Sequence, residues 1–137
     1  MRRHVRRGGD RGAMSLSLAV VFPVVLLLLL LVVQASLWWY ARQVALTAAR
    51  EGVEAGRTQG NAADAVKDAA AQRQAEDFLH RQGSGSYQVS TDGSTPELVR
   101  VTVRLTPTLL VPGLSAPRIT QFAEAPRERF VPPAAAP

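Results

Sequence analysis

Apolar and polar positions are segregated along this chain in a way that divides it before any motif is considered. From Gly12 to Ala41 thirty consecutive residues carry no formal charge, and Arg11 and Arg42 bound the run. Its most apolar part, Leu18 to Val33, shows neither the period of an amphipathic helix nor the alternation of a strand. As one helix the thirty residues would extend about 45 Å at 1.5 Å per residue. That exceeds the roughly 30 Å hydrocarbon layer of a bilayer. The pattern predicts a membrane-spanning helix over about residues 14 to 40. Pro23 falls inside it, where a lost backbone donor predicts a bend near Ala19 to Phe22. Trp38, Trp39 and Tyr40 follow the apolar block, where amphipathic rings favour the boundary between lipid and water.

Beyond the belt the pattern changes to that of a soluble helix. Ala41, Ala45, Ala48, Gly52 and Gly56 recur at three- and four-residue spacing and form a stripe of small side chains. Such a stripe permits close approach of another helix, although Ala and Gly are also common residues in a chain of this composition. Arg50, Glu54 and Arg57 occupy the polar side at pairing distance. Thr58 to Asn61 breaks the helix. Asn61 is the expected cap of a second helix that runs to about Gln82, with Val66, Ala69, Phe78 and Leu79 as its main apolar groups and Gly83 as its stop.

Strand patterns come last. Tyr87 to Thr91 is a short candidate, and "ELVRVTVRL" alternates with Val99, Val101, Val103 and Leu105 on one face and Arg100, Thr102 and Arg104 on the other. A third piece is expected from Arg118 to Ala125, after the connection "TPTLLVPGLSAP". The fold class is therefore α+β: a long N-terminal transmembrane helix continuing outside the bilayer, a second helix and a small antiparallel sheet. The expected divisions are a basic leader (1–12), the membrane and membrane-proximal helix (13–58), an outer α+β domain (59–126) and a flexible tail (127–137).

Charge refines this picture. The net charge of +5 would suggest nucleic acid, but five of the sixteen basic residues lie in the first twelve positions, against one acid. The remainder is close to neutral and carries no basic face, so no nucleic-acid partner is expected. Arg2, Arg3, Arg6, Arg7 and Arg11 instead precede the span, which places the N-terminus in the cytoplasm and the C-terminal domain outside. With no cysteine there is no disulfide framework and no thiolate nucleophile. His4 and His80 lack ligand-spaced partners, so no metal or other cofactor is expected. Adjacent Glu76 and Asp77 point apart on a helix, and no phosphate loop or nucleophile elbow is present. No enzymatic activity is expected.

Two readings of the N-terminal run remain at this point. Val33-Gln34-Ala35 before Ser36 is an acceptable signal-peptidase site, which would release a small secreted binding domain. The length of the apolar block and the continuation of helical pattern past Ala35 favour a retained anchor. The segments "DRGAMSLSLAVVFPVVLLLLLLVV" and "ALTAAREGVEAGR" resemble the TadE-like proteins of tight-adherence (Flp-type) pilus assembly systems, which are similar to type IV pilins at their N-termini.

That resemblance implies a pilin-like layout, a single-pass protein of the cell membrane, and cleavage by a prepilin peptidase between Gly12 and Ala13. Its implied partners are the membrane, other pilus or pseudopilin subunits and the assembly platform. Pilins and many family members carry a glutamate at the fifth position after the cut, where it pairs with a neighbouring subunit's terminal amine. Ser17 stands there in this chain. The substitution fits an assembly component or a minor pseudopilin better than a major fibre subunit.

Overall fold

The computed structural model describes residues 10–110, 113 and 115–128, with the side-chain surroundings of the first helix described from Leu18 onward. The expected leader up to residue 9, including His4, and the tail from residue 129 lie outside the described residues. Five elements follow in order: helix α1 (Asp10–Arg57), helix α2 (Asp64–Arg81), and strands β1 (Ser86–Ser90), β2 (Leu98–Thr106) and β3 (Ile119–Pro126). The layout is α+β.

Helix α1 holds 48 residues and contains Pro23 without being interrupted by it. It starts at Asp10, three residues ahead of the boundary expected at Ala13. It ends at Arg57, and Gly60 then takes a left-handed backbone conformation at φ +58°. The turn uses up Asn61, which is not the cap. Ala63 takes that position with no side-chain hydrogen bond, and α2 begins at Asp64. Gly83 (φ +61°) closes α2 as expected, with its N–H donating to the His80 carbonyl and that of Ser84 to the Leu79 carbonyl.

The strands form an antiparallel meander in the order β1-β2-β3, with β2 in the centre. Val103 pairs with Val89 on one side and Gln121 on the other; Val101 faces Ala123, and Val99 faces Ala125. Because side chains alternate along a strand, this register turns Val99, Val101, Val103 and Leu105 to one face, where all four are buried. The last part of α1 lies over β2 and β3, and α2 lies beside it toward β1. The core is this single layer between two helices and one sheet face, completed by Ala45, Ala48, Ala49, Val53, Ala71, Ala75 and Leu79.

The buried side of α2 includes only Leu79 of its four main apolar groups. Its inward stripe is Lys67, Ala71, Ala75 and Leu79, while Val66 and Ala69 face outward and Phe78 is half-buried. The reason is space. A β-carbon at Gly52 would lie 2.7 Å from the Ala71 carbonyl oxygen and 3.1 Å from the Ala75 β-carbon. At Gly56 it would meet the Ala71 β-carbon and Val99 Cγ1, each at 3.0 Å. Only alanine-sized groups fit between helices this close, so the larger apolar residues of α2 are excluded from the contact.

Candidate functional site

The chemistry-bearing feature of this molecule is a helix with two environments. Every residue from Leu18 to Val33 is exposed except Leu30, which is half-buried. An all-round apolar helix left bare by its own chain is stable only in lipid or among other apolar helices. From Ala41 to Gly56 the same helix buries Ala41, Val44, Ala45, Ala48, Ala49, Gly52, Val53 and Gly56. By length and composition Leu18–Arg57 can cross a membrane.

The stripe read from the sequence is therefore occupied within the chain. Gly52 and Gly56 contact α2 and β2 directly, and Ala41, Ala45 and Ala48 belong to the core. Gly12, Ala13 and Ser17 fall in helical backbone of α1, and their side-chain environments lie outside the described residues. Pro23 faces outward in the bare segment.

At the junction between the two environments the three aromatic residues part company. Trp39 and Tyr40 are exposed at 66% and 56%, as an interfacial belt requires. Trp38 turns inward and is half-buried, with its indole N–H buried and without a hydrogen-bond partner. The Tyr40 hydroxyl donates to Gln82 Oε1 at 3.3 Å and so ties the junction to the end of α2. Leu37, Tyr40, Ala41, Val44, Gln82–Gly85, Leu105, Pro107 and Thr108 line a mostly apolar crevice of about 200 Å³ beside it.

Gln34 is the residue whose role the sequence did not reveal. It follows the apolar block, yet its side chain is 1% exposed. Its amide N–H donates to the Thr108 carbonyl at 3.4 Å, and its oxygen accepts the Leu110 N–H at 2.9 Å. One primary amide thus satisfies an acceptor and a donor on the β2–β3 connection. Ser36, the next polar residue, donates to the Val32 carbonyl of its own helix at 2.9 Å. Only the interruption of an apolar run by a lone Gln hinted at this, and that hint has no period.

A second cluster closes the opposite end of the domain. Arg127, the first residue of the expected tail, has a side chain only 1% exposed. Its Nη2 contacts Asp68 at 2.7 Å and its Nη1 lies 3.8 Å from Asp64, while Nε donates to the Thr95 carbonyl at 2.7 Å. The Arg127 backbone N–H also donates to the Glu97 carbonyl. The guanidinium joins the start of α2, the β1–β2 turn and the end of β3.

On the outer sheet face Arg100 pairs with Glu124 and lies 5.5 Å from the Phe122 ring centroid, which orders that face without enclosing a cavity. Glu76 accepts from Gln72 Nε2 at 2.8 Å, and His80 is exposed. Among the described residues no three His, Cys, Asp or Glu side chains converge.

These features define a class: a protein in which one helix is at once an apolar rod and the central element of a small α+β domain. Residues 12–54 match the family model described as TadE-like protein. The match covers the bare half of α1 and most of its buried half, and stops before α2 and the sheet. The comparisons found no matching curated protein and no matching solved structure.

Proposed function

We propose that this chain is a membrane-anchored, non-enzymatic assembly component or minor pseudopilin of a tight-adherence (Flp-type) pilus or secretion system. In this reading α1 crosses the cell membrane with its N-terminus in the cytoplasm and carries the α+β domain on the outer side. Prepilin peptidase removes the leader after Gly12, and the product works with other pilus or pseudopilin subunits and the assembly platform. Gly12 precedes the bare apolar run, so a cut after it leaves the whole span intact. Ser17 spares the bilayer an unpaired carboxylate and removes one intersubunit ion pair, which suits a subunit present in few copies.

The observation that carries this reading is the continuity of α1 through Ala35. A cut there would divide a helix, remove Gln34 from its two backbone partners, and leave Trp38 as the third residue of a fragment. The match over residues 12–54 spans the same point and supports an intact helix.

The mature N-terminus tests the proposal. Protein recovered from native membranes is expected to begin at Ala13 and to stay in the pellet on alkaline carbonate extraction. A product beginning at Ser36 would overturn the assignment in favour of a secreted domain. A product beginning at Met1 or Arg2 would preserve the anchor and remove the peptidase from the partners.

A further inference from the structure

The β2–β3 connection leaves the end of the sheet nearest the apolar half of α1 and reaches back to Gln34. On the membrane-anchor reading, on which this inference rests, a span of about 20 residues is needed to cross the hydrocarbon layer. Counted from Leu18 it ends at Leu37. Gln34 then lies three residues, about 4.5 Å, inside that boundary. It also precedes Trp39 and Tyr40, the exposed belt residues. The Thr108 carbonyl and Leu110 N–H bonded to Gln34 share its level.

We propose that Pro107 to Leu110 is a second membrane contact, immersed in the interfacial layer of the outer leaflet and pinned to the span by Gln34. Three observations agree on lipid as the occupant. The segment is continuous with a helix that is bare and apolar on all sides up to Val33. Its exposed apolar side chain is Leu110, which is 50% exposed, with Leu109 half-buried beside it, Thr108 as its one exposed polar side chain, and no charged residue between Pro107 and Leu110. Two of its backbone groups, the Thr108 carbonyl and the Leu110 N–H, are paired with the Gln34 amide. Non-helical backbone at membrane depth is tolerated only when its N–H and C=O groups are satisfied. A glutamine in a span is tolerated when its amide finds partners. Here each supplies the other's requirement.

The consequence is a domain held at two points. A single helix leaves the domain free to rotate about the helix axis; a loop anchored beside the helix sets which face is turned toward the membrane and which toward partners. The β1–β2 turn and Arg127 are then at the end farthest from the bilayer.

The test uses the full chain in phosphatidylcholine/phosphatidylglycerol vesicles. Because the native chain has no cysteine, single cysteines at Leu110→Cys, Leu28→Cys and Asp92→Cys can each carry an environment-sensitive nitrobenzoxadiazole label. Lipids with a nitroxide near the acyl carbonyl are expected to quench the Leu110→Cys label at least twofold more than the Asp92→Cys label. Adding Gln34→Leu is expected to return the Leu110→Cys signal to that of Asp92→Cys while the Leu28→Cys label stays buried. A water-like Leu110→Cys label beside a buried Leu28→Cys label would overturn the second contact and leave the anchor standing. Loss of lipid burial at Leu28→Cys would remove the anchor and this inference together. A Leu110→Cys label shielded from water but unquenched by the lipid nitroxide would assign the segment to a protein partner and reject lipid. An unchanged Leu110→Cys signal in the Gln34→Leu variant would reject the pinning role.

Discussion

A β-carbon placed on Gly52 would lie 2.7 Å from the Ala71 carbonyl oxygen, and backbone cannot move aside as a flexible side chain can. Gly52→Ala should gain about 1 kcal/mol of helix propensity. Overpacking in a tight core costs about 1–3 kcal/mol, and here it opposes that gain. The contact is with main chain on one side and Val101 on another, so the loss should win. Thermal unfolding of the whole chain in detergent is expected to show a lower midpoint for Gly52→Ala; a higher one would mean that α1 and α2 are farther apart than described. Arg127 illustrates the opposite kind of residue, a buried charge that holds three segments together. Its carboxylate partners are partly exposed and can rehydrate when it is removed, so Arg127→Met should cost about 2 kcal/mol, the scale of a charged hydrogen bond. Asp68→Asn keeps an acceptor and should cost less than Asp68→Ala in the same melt. Equal losses would show that Asp68 acts through packing alone.

At the scale of elements, legibility followed the strength of the period. The alternation Val99, Val101, Val103, Leu105 named the buried face of β2, because a strand has only two faces and a register error would reverse both. The apolar run gave α1 for the same reason: nothing but a helix satisfies so long a bare backbone. The buried face of α2 was not legible from its apolar residues, because the close approach of Gly52 and Gly56 selects Ala71 and Ala75. Gln34 and Arg127 were illegible for a different reason. Each is satisfied by groups distant in sequence, Thr108 and Leu110 in one case and Asp64, Asp68 and Thr95 in the other. Local pattern carries no record of such partners. The two halves of α1 should also respond differently to charge. An arginine at the centre of a span costs about 2.5–3.5 kcal/mol on insertion scales. Leu27→Arg should therefore release a measurable fraction of the chain on carbonate extraction. Thr47→Arg, at an exposed position on the domain half, should leave extraction unchanged. Equal behaviour of the two variants would contradict the division of the helix.

For the whole molecule the decisive property is that one continuous helix carries both the bare apolar segment and the centre of the domain, so that its rotational phase is part of the structure. Each residue of an α-helix turns the chain by about 100°. One alanine inserted between Trp39 and Tyr40 would leave the contacts of Ala41 to Gly56 with α2 and the sheet intact among themselves. It would also rotate Gln34 by that angle away from Thr108 and Leu110. The core cluster lies entirely after the insertion, while Gln34 and the half-buried Leu37 and Trp38 lie before it. Hydrogen exchange separates the two effects, because the Leu110 N–H is bonded to Gln34 while the strand amides answer to the core. In the insertion variant the Leu110 amide is expected to exchange at least tenfold faster, with Val101 and Val103 retaining their protection. Loss of protection at all three would mean that the domain does not fold independently of helix phase. Unchanged protection at Leu110 would show that the β2–β3 connection follows the sheet and not the anchor, and that the two halves of α1 are joined only by their shared backbone.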